Sequence, residues 1–244
     1  MMSAARTALV TGANRGIGYH VCRDLAAQGM RVILSARNAA EGEKSAGRLR
    51  ADGLEVAFLH MDVGDAASVQ KAAEAVERNW GRLDVLINNA AIFVDHDWDS
   101  PGAMPPPKNL AQMAERVDLA VAVNLRGPYI VIQAFAPLMK KNRYGRIVNI
   151  SSVMGQLSSM SGGSHTYRIT KAALNAVTRI FAAELAGDGI LVNSVCPGWR
   201  RTSMGGASAP LAPEEGNETI IKMATLPPNG PTGRFFRSGS EIKF

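Results

Sequence analysis

The chain has 244 residues, 46% hydrophobic and 20% charged, which suits a globular protein with a large buried core and excludes a disordered or fibrous one. Its net charge of +6 is scattered; only Lys140, Lys141, Arg143 and Arg146 gather, at an expected helix end where cations offset the dipole, so no nucleic-acid face is expected. Cys22 and Cys196 lie far apart, and His20, His60, His96 and His165 form no ligand motif, which argues against a disulfide framework and a metal site.

Short apolar runs alternate with longer helical patterns. Strand 7–11 leads through a glycine-rich turn to helix 17–28, strand 31–36 to helix 39–51, and strand 56–61 to helix 66–80. Strand 85–88 precedes a loop at 95–108 (DHDWDSPGAMPPPK) and a long helix at 110–141. Strand 146–151, helix 166–186, strand 191–195, helix 213–224 and a last short strand at 233–237 complete the series. The strand patterns are continuous rather than alternating, as in strands covered on both faces. The order predicts an α/β fold: one Rossmann-type, doubly wound parallel sheet of about seven strands with helices on both faces. No linker divides residues 1–244, so a single domain is expected. A stretch of small residues at 205–213 (GGASAPLAP) reads as a mobile segment, part of a substrate loop around 199–213. Both loops follow strands and fall at the carboxyl edge of the sheet, where open α/β folds bind ligands.

The turn Thr11-Gly12-Ala13-Asn14-Arg15-Gly16-Ile17-Gly18 opens the first helix. Glycines there allow a tight turn, close approach of a pyrophosphate and close helix–strand packing, while the helix N-terminus favours phosphate. The second strand ends Ser35-Ala36-Arg37, without the acid that binds a ribose 2′-hydroxyl in NAD sites. Arg37 and Arg15 instead suit a 2′-phosphate, so the expected cofactor is NADP(H).

Tyr167 and Lys171 stand four apart on an expected helix, hence on one face. An ammonium beside a phenol is expected to lower the phenol's pKa from about 10 toward neutrality, making a general acid/base for a carbonyl or an alcohol.

Taken together these residues resemble the short-chain dehydrogenase/reductase family over essentially the whole chain. The glycine turn matches TGxxxGxG, and Asp62-Val63 matches the adenine-contacting pair. Asn88-Asn89-Ala90-Ala91 is similar to NNAG, with Ala91 in place of Gly. Asn124 matches the active-site Asn, Ser152 the catalytic Ser, and Tyr167 with Lys171 the YxxxK pair. Asn193 and Pro197-Gly198 match N-x-x-x-PG, and Thr202 falls where the family holds the nicotinamide amide. The run 197–204, the PEEG at 213–216 and PTGRFF at 231–236 resemble the carbonyl-reductase branch, which reads PGWVRTDM, SPEEG and PTGKFF.

The resemblance implies a catalytic set of Ser152, Tyr167, Lys171 and Asn124. It implies cofactor contacts from Gly12, Asn14, Arg15, Gly16, Ile17, Gly18, Arg37, Asp62, Val63, Asn89, Ala90, Tyr167, Lys171, Pro197, Gly198 and Thr202. The reaction implied is reversible NADPH-dependent reduction of a ketone or aldehyde: hydride from the nicotinamide, proton from Tyr167, Ser152 on the carbonyl oxygen, Lys171 on the ribose, and Asn124 supporting a water chain to Lys171. Sugar, steroid or acyl-thioester substrates, or a non-catalytic NADP-sensing role, are the alternatives. Trp98, Met160, Trp199 and Met204 either line a pocket or pack in the core. Arg200 and Ser203 depart from the family pattern; an exposed Arg200 changes nothing, whereas an inward one biases the pocket toward anions. The large insertion between Ser and Tyr of some monomeric carbonyl reductases is absent, leaving a homo-oligomer possible. Residues 1–6 are too short and polar for a signal peptide, and no apolar run approaches a membrane span, so a cytoplasmic protein without membrane or nucleic-acid partners is expected.

Overall fold

The computed structural model describes residues 5–96 and 104–244. The chain order among these residues is β1 (Thr7–Val10), α1 (Gly16–Ala27), β2 (Arg31–Ala36), α2 (Ala39–Ala51), β3 (Val56–His60), α3 (Ala66–Trp80) and β4 (Val85–Asn88). There follow α4 (Leu110–Val121), α5 (Gly127–Asn142), β5 (Gly145–Ile150), α6 (His165–Leu185), β6 (Ile190–Cys196), α7 (Glu218–Ala224), β7 (Phe235–Arg237) and β8 (Ser240–Ile242). The eight strands form one sheet in the order β3-β2-β1-β4-β5-β6-β7-β8. All pairs are parallel except β7 with β8. The order reverses between β1 and β4, which opens the crevice at the carboxyl edge.

Continuous apolar strands supply both layers of core. Successive side chains alternate faces, so Ala8 and Val10 pack with α1, α2 and α7, whereas Leu9 packs with α3, α5 and α6. β1, β4, β5 and β6 are buried along their whole lengths, as their unbroken apolar pattern predicts.

Three elements differ from the sequence expectation. β8 adds an antiparallel eighth strand through a hairpin whose two turn residues, Ser238 (φ 48°) and Gly239 (φ 80°), both have left-handed backbone. The helix expected from residue 213 begins only at Glu218, because Pro213 and Asn217 turn their carbonyl and side chain onto Arg200. The long helix expected over 110–141 is interrupted by a π-turn at Ala122–Arg126. This run, Leu110–Asn142, has the length and composition to cross a membrane, which a search for uninterrupted apolar residues does not reveal; half of its most apolar stretch is buried inside the fold.

A buried polar chain ties the central strands to α6. Asn88 Nδ2 donates to Asn149 Oδ1 (2.8 Å), Asn149 Nδ2 donates to Thr178 Oγ1 (2.8 Å), and Thr178 Oγ1 shares a hydrogen with Ser194 Oγ (2.8 Å). Replacing Thr178 with the near-isosteric valine strands Asn149 Nδ2 and Ser194 in a dry interior. Thr178→Val is therefore expected to lower unfolding free energy by about 2–3 kcal/mol, read as a lower urea midpoint at unchanged slope.

Candidate active site

The strand ends converge on one cleft. At the end of β1 the chain turns through Gly12 (φ 62°); a Cβ there would lie 2.8 Å from Ala90 Cα, so only glycine fits. The turn is tied to the exit of β4. Thr11 Oγ1 accepts the amides of Asn89 and Ala90 (both 3.0 Å), and Asn89 Nδ2 donates to the carbonyls of Thr11 (2.8 Å) and Gly12 (3.1 Å). Asn14 is held by Ser45 Oγ, which donates to its carbonyl (2.7 Å). α1 starts with Arg15 at its N-cap, with no side-chain cap and no acid in its first turn. The positive end of its dipole thus faces the turn, and the cradle fits a dinucleotide pyrophosphate.

Arg15 and Arg37 are both exposed, with Arg37 directly after β2, at the position where an NAD site carries an acid. Asp62 follows β3; its Oδ1 accepts the Gly64 amide (2.8 Å), and Val63 beside it is buried. Ile17, Gly18 and Ala90 lie in the same turn-and-strand-exit region, and Pro197-Gly198 follows β6.

The catalytic candidates line the opposite wall. Ser152 follows β5, and its Oγ accepts the Met154 amide (3.1 Å). Tyr167 sits in the first turn of α6, half-buried, with its ring 5.3 Å from that of Phe93. Lys171 is one turn on, with Nζ donating to Ile150 O (2.7 Å) and lying 5.5 Å from the Tyr167 ring centroid. Asn124 lies in the π-turn, a backbone irregularity that recurs at functional sites. Its Oδ1 accepts the Ile92 amide (2.8 Å), and its Nδ2 donates to Ile92 O (2.9 Å) and Thr170 Oγ1 (3.3 Å). Asn124 therefore anchors the strand-exit segment to α6, with both polar atoms engaged.

The expected acidification of Tyr167 is not what this geometry gives. Burial pushes the phenol above its ordinary value, a neighbouring Cys196 adds to the rise, and a hydrogen bond with Ser152 opposes it. Lys171 is itself pulled down to about 8 by burial, with Cys196 opposing. An ammonium hydrogen-bonded to a backbone carbonyl and lying off the face of the ring leaves desolvation to dominate the phenol.

The segment expected to be mobile, 205–213, is folded on itself. Arg201 N donates to Leu211 O (2.8 Å), Arg201 Nη1 to the carbonyls of Ala209 (3.0 Å) and Pro210 (2.8 Å), and Trp199 Nε1 to Gly205 O (2.8 Å). Thr202 Oγ1 accepts the Gly205 amide (3.1 Å), and the Thr202 methyl packs over Gly16. Arg200 is buried under this loop, bonded to the protein's own carbonyls, so neither the exposed nor the pocket-facing alternative holds. Asn193 ties β6 to the approach of β7, donating to Pro231 O (2.7 Å) and accepting the Arg234 amide (3.1 Å). Met160 and Trp199 are exposed, while Trp98 lies outside the described residues.

Sequence reasoning misses Asp95. Its carboxylate accepts the amides of Thr166 (3.0 Å) and Tyr167 (2.9 Å), capping α6 from 71 residues away. The helix's own N-cap residue, Ser164, has left-handed backbone (φ 44°) and makes no side-chain cap bond. A cap supplied from a distant loop leaves no local sequence signal.

A doubly wound sheet with a glycine cradle facing a Ser-Tyr-Lys wall defines a dinucleotide-dependent oxidoreductase. The sequence profile of the short chain dehydrogenase family matches residues 6–210, and the chain belongs to that family. It is 34% identical to carbonyl reductase [NADPH] 1 of Sus scrofa, over 96% of this chain and 93% of the relative. It is 32% identical to (+)-neomenthol dehydrogenase of Arabidopsis thaliana, over 95% of each. The solved structure of a metagenomic short-chain oxidoreductase in complex with NADP superposes with a TM-score of 0.76 at 30% identity, covering 95% of this chain and 96% of that one.

Asp95→Ala removes both acceptors from the first turn of α6. It is expected to destabilise the protein by about 1–2 kcal/mol in chemical denaturation, with Asp95→Asn, which keeps an acceptor oxygen, losing less.

Proposed function

We propose that residues 1–244 form one dinucleotide-binding domain with a substrate loop around 199–213, and that the protein reduces a small ketone or aldehyde to its alcohol with NADPH, reversibly. The observation that carries this is the meeting of Tyr167, Ser152 and Lys171 on the wall facing the glycine cradle. When bound, NADPH supplies the hydride. Tyr167 gives its proton to the carbonyl oxygen, and Ser152 hydrogen-bonds the same oxygen as negative charge grows on it. Lys171 places a cation beside the ring that is left anionic and reaches toward the cofactor ribose. Asn124 holds the Ile92 segment against α6 and supports a water chain to Lys171. Arg15 and Arg37 hold the 2′-phosphate; Gly16 lets the pyrophosphate approach the backbone, with Gly12 making the tight turn and Gly18 the close packing of helix on strand exit; Asp62 and Val63 take the adenine; Asn89, Ala90, Pro197, Gly198 and Thr202 enclose the nicotinamide half. The NADPH-dependent and terpenoid-alcohol relatives support this choice of cofactor and substrate class.

The same reading places the protein in the cytoplasm, without a membrane or nucleic-acid partner. Exposed apolar side chains on neighbouring helices (Leu119 on α4, Tyr129 on α5, Ile169 and Ile180 on α6) support a homo-oligomer.

Tyr167→Phe keeps the ring and loses the proton. Its kcat is expected to fall about 10²–10⁴-fold, followed as loss of NADPH absorbance over a ketone panel, with NADPH affinity little changed. Wild-type activity in that variant would remove Tyr167 from the chemistry, and no turnover with any carbonyl despite tight NADPH binding would favour a sensor. Arg37→Asp is expected to shift the NADPH/NADH ratio of kcat/KM toward NADH by about tenfold or more; an unchanged ratio would contradict the placement of that guanidinium.

A further inference from the structure

Arg200 stands where the carbonyl-reductase-like pattern has an apolar residue, yet it is only 2% exposed. A buried guanidinium is destabilising unless its donors are matched. Here Nε donates to Pro197 O (2.8 Å), and Nη1 donates to Pro213 O (3.1 Å) and Asn217 Oδ1 (2.7 Å), whereas Nη2 is buried without a partner. Asn217, also buried, passes the connection on: its Nδ2 donates to Asp24 Oδ2 (2.8 Å) on α1. Asp24, which also pairs with Arg23 (2.9 Å), thus reaches Arg200 through one intervening side chain, while Glu218 and Glu215 supply more of the favourable charge around the guanidinium. The bonds run from α1 through Asp24 and Asn217 to Arg200, and from Arg200 to carbonyls near both ends of the segment 197–217. His20 of α1, 3.8 Å from Glu214, adds a second contact between the same partners.

α1 is also the helix that begins at the glycine turn. Thr202, two residues beyond Arg200, sets its methyl 3.2 Å from where a Cβ on Gly16 would stand. The segment is therefore held to α1 at three places: through the relay at Asp24, by Glu214 against His20, and by Thr202 against Gly16, the helix's first residue.

We propose that Arg200 is a positioning residue that, through Asn217 and Asp24, fastens the segment 197–217 to α1 and so sets Pro197, Gly198 and Thr202 over the glycine turn before the dinucleotide arrives. An apolar residue at 200 would satisfy burial but leave Asn217 without its donor and the segment with other arrangements to sample. Apparent cofactor affinity then falls by the fraction of molecules in which the segment is in place. The proposal rests on the cofactor placement given above and not on the identity of the substrate.

Hydrogen–deuterium exchange of the full chain without cofactor, followed in peptides covering 198–212, tests it. In Asn217→Ala these amides are expected to exchange about tenfold faster than in wild type, with saturating NADP⁺ restoring slow exchange and the sheet unaffected. The KM for NADPH is expected to rise about tenfold with kcat within about threefold. Asp24→Ala, at a part-exposed helix position that does not endanger folding, is expected to act in the same direction, and Asp24→Asn, which keeps an acceptor oxygen, to return close to wild type. The double variant Asp24→Ala/Asn217→Ala should be no worse than the worse single one, because both break the same chain of bonds. Unchanged exchange over 198–212 in either folded alanine variant, or effects on KM that add, would overturn the proposal. The exchange is read without substrate, so a wild type that turns over no carbonyl would count against the proposed reaction and leave this result standing.

Discussion

One buried ammonium organises the active-site wall. Lys171 is 2% exposed, and its hydrogen-bond partner is not a carboxylate but the carbonyl of Ile150 at the end of β5. That bond joins α6 to the sheet one residue before the strand gives way to Ser151 and Ser152. The approach is close enough to demand glycine on the other side: a Cβ on Gly155 would lie 2.5 Å from the Lys171 backbone. Ser151 Oγ donates to Lys171 O (3.4 Å), and Asn175 Nδ2 donates to Gly155 O (3.3 Å). Ser152 and Lys171 thus owe their relative positions to one packed seam rather than to two independent loops.

The rest of the wall is fixed by polar groups that act at a distance from the chemistry. Asn124 bonds Ile92 through both side-chain polar atoms and Thr170 through Nδ2, Asp95 caps the turn that carries Tyr167, and Thr170, next to Lys171, donates to Tyr167 O (3.0 Å). Ile92 and Asp95 belong to the same β4 exit whose Asn89 and Ala90 clasp the glycine turn. The cradle and the catalytic wall are therefore built from one stretch of chain, and a shift of that stretch would move both. Such preorganisation matters because a proton donor and a hydride donor must meet one carbonyl in a narrow range of geometry.

How much of this is legible in the sequence depends on the range of the interaction. Buried parallel strands announce themselves as unbroken apolar runs, and the glycine turn, the Asn-Asn step and the Tyr-Lys spacing are local patterns, so the sheet and the main candidates can be read directly. The π-turn at Ala122–Arg126 cannot, because its 3.6-residue neighbours on either side mask one inserted position. The Ser238-Gly239 hairpin carries a turn signal, but its flanking strands have only three residues each, too few to show a period. Asp95 on α6 and Asp24 on Asn217 join residues 71 and 193 positions apart, where no spacing rule applies. Arg200 is the sharpest case: its family position suggests a surface or pocket side chain, and only the fold reveals that Asn217 and two carbonyls surround it.

The electrostatics of the wall bear on direction. A phenol raised by burial stays protonated at neutral pH, so it stands ready as an acid and is poorly prepared as a base. Reduction needs the acid; alcohol oxidation needs the base. Lys171, drawn to about 8, still carries most of its charge at neutral pH and loses it before a phenol raised above its ordinary value would ionise. Desolvation of the Tyr-Lys pair thus opposes ionisation of the phenol, and any group that brought positive charge to the cleft would lower it.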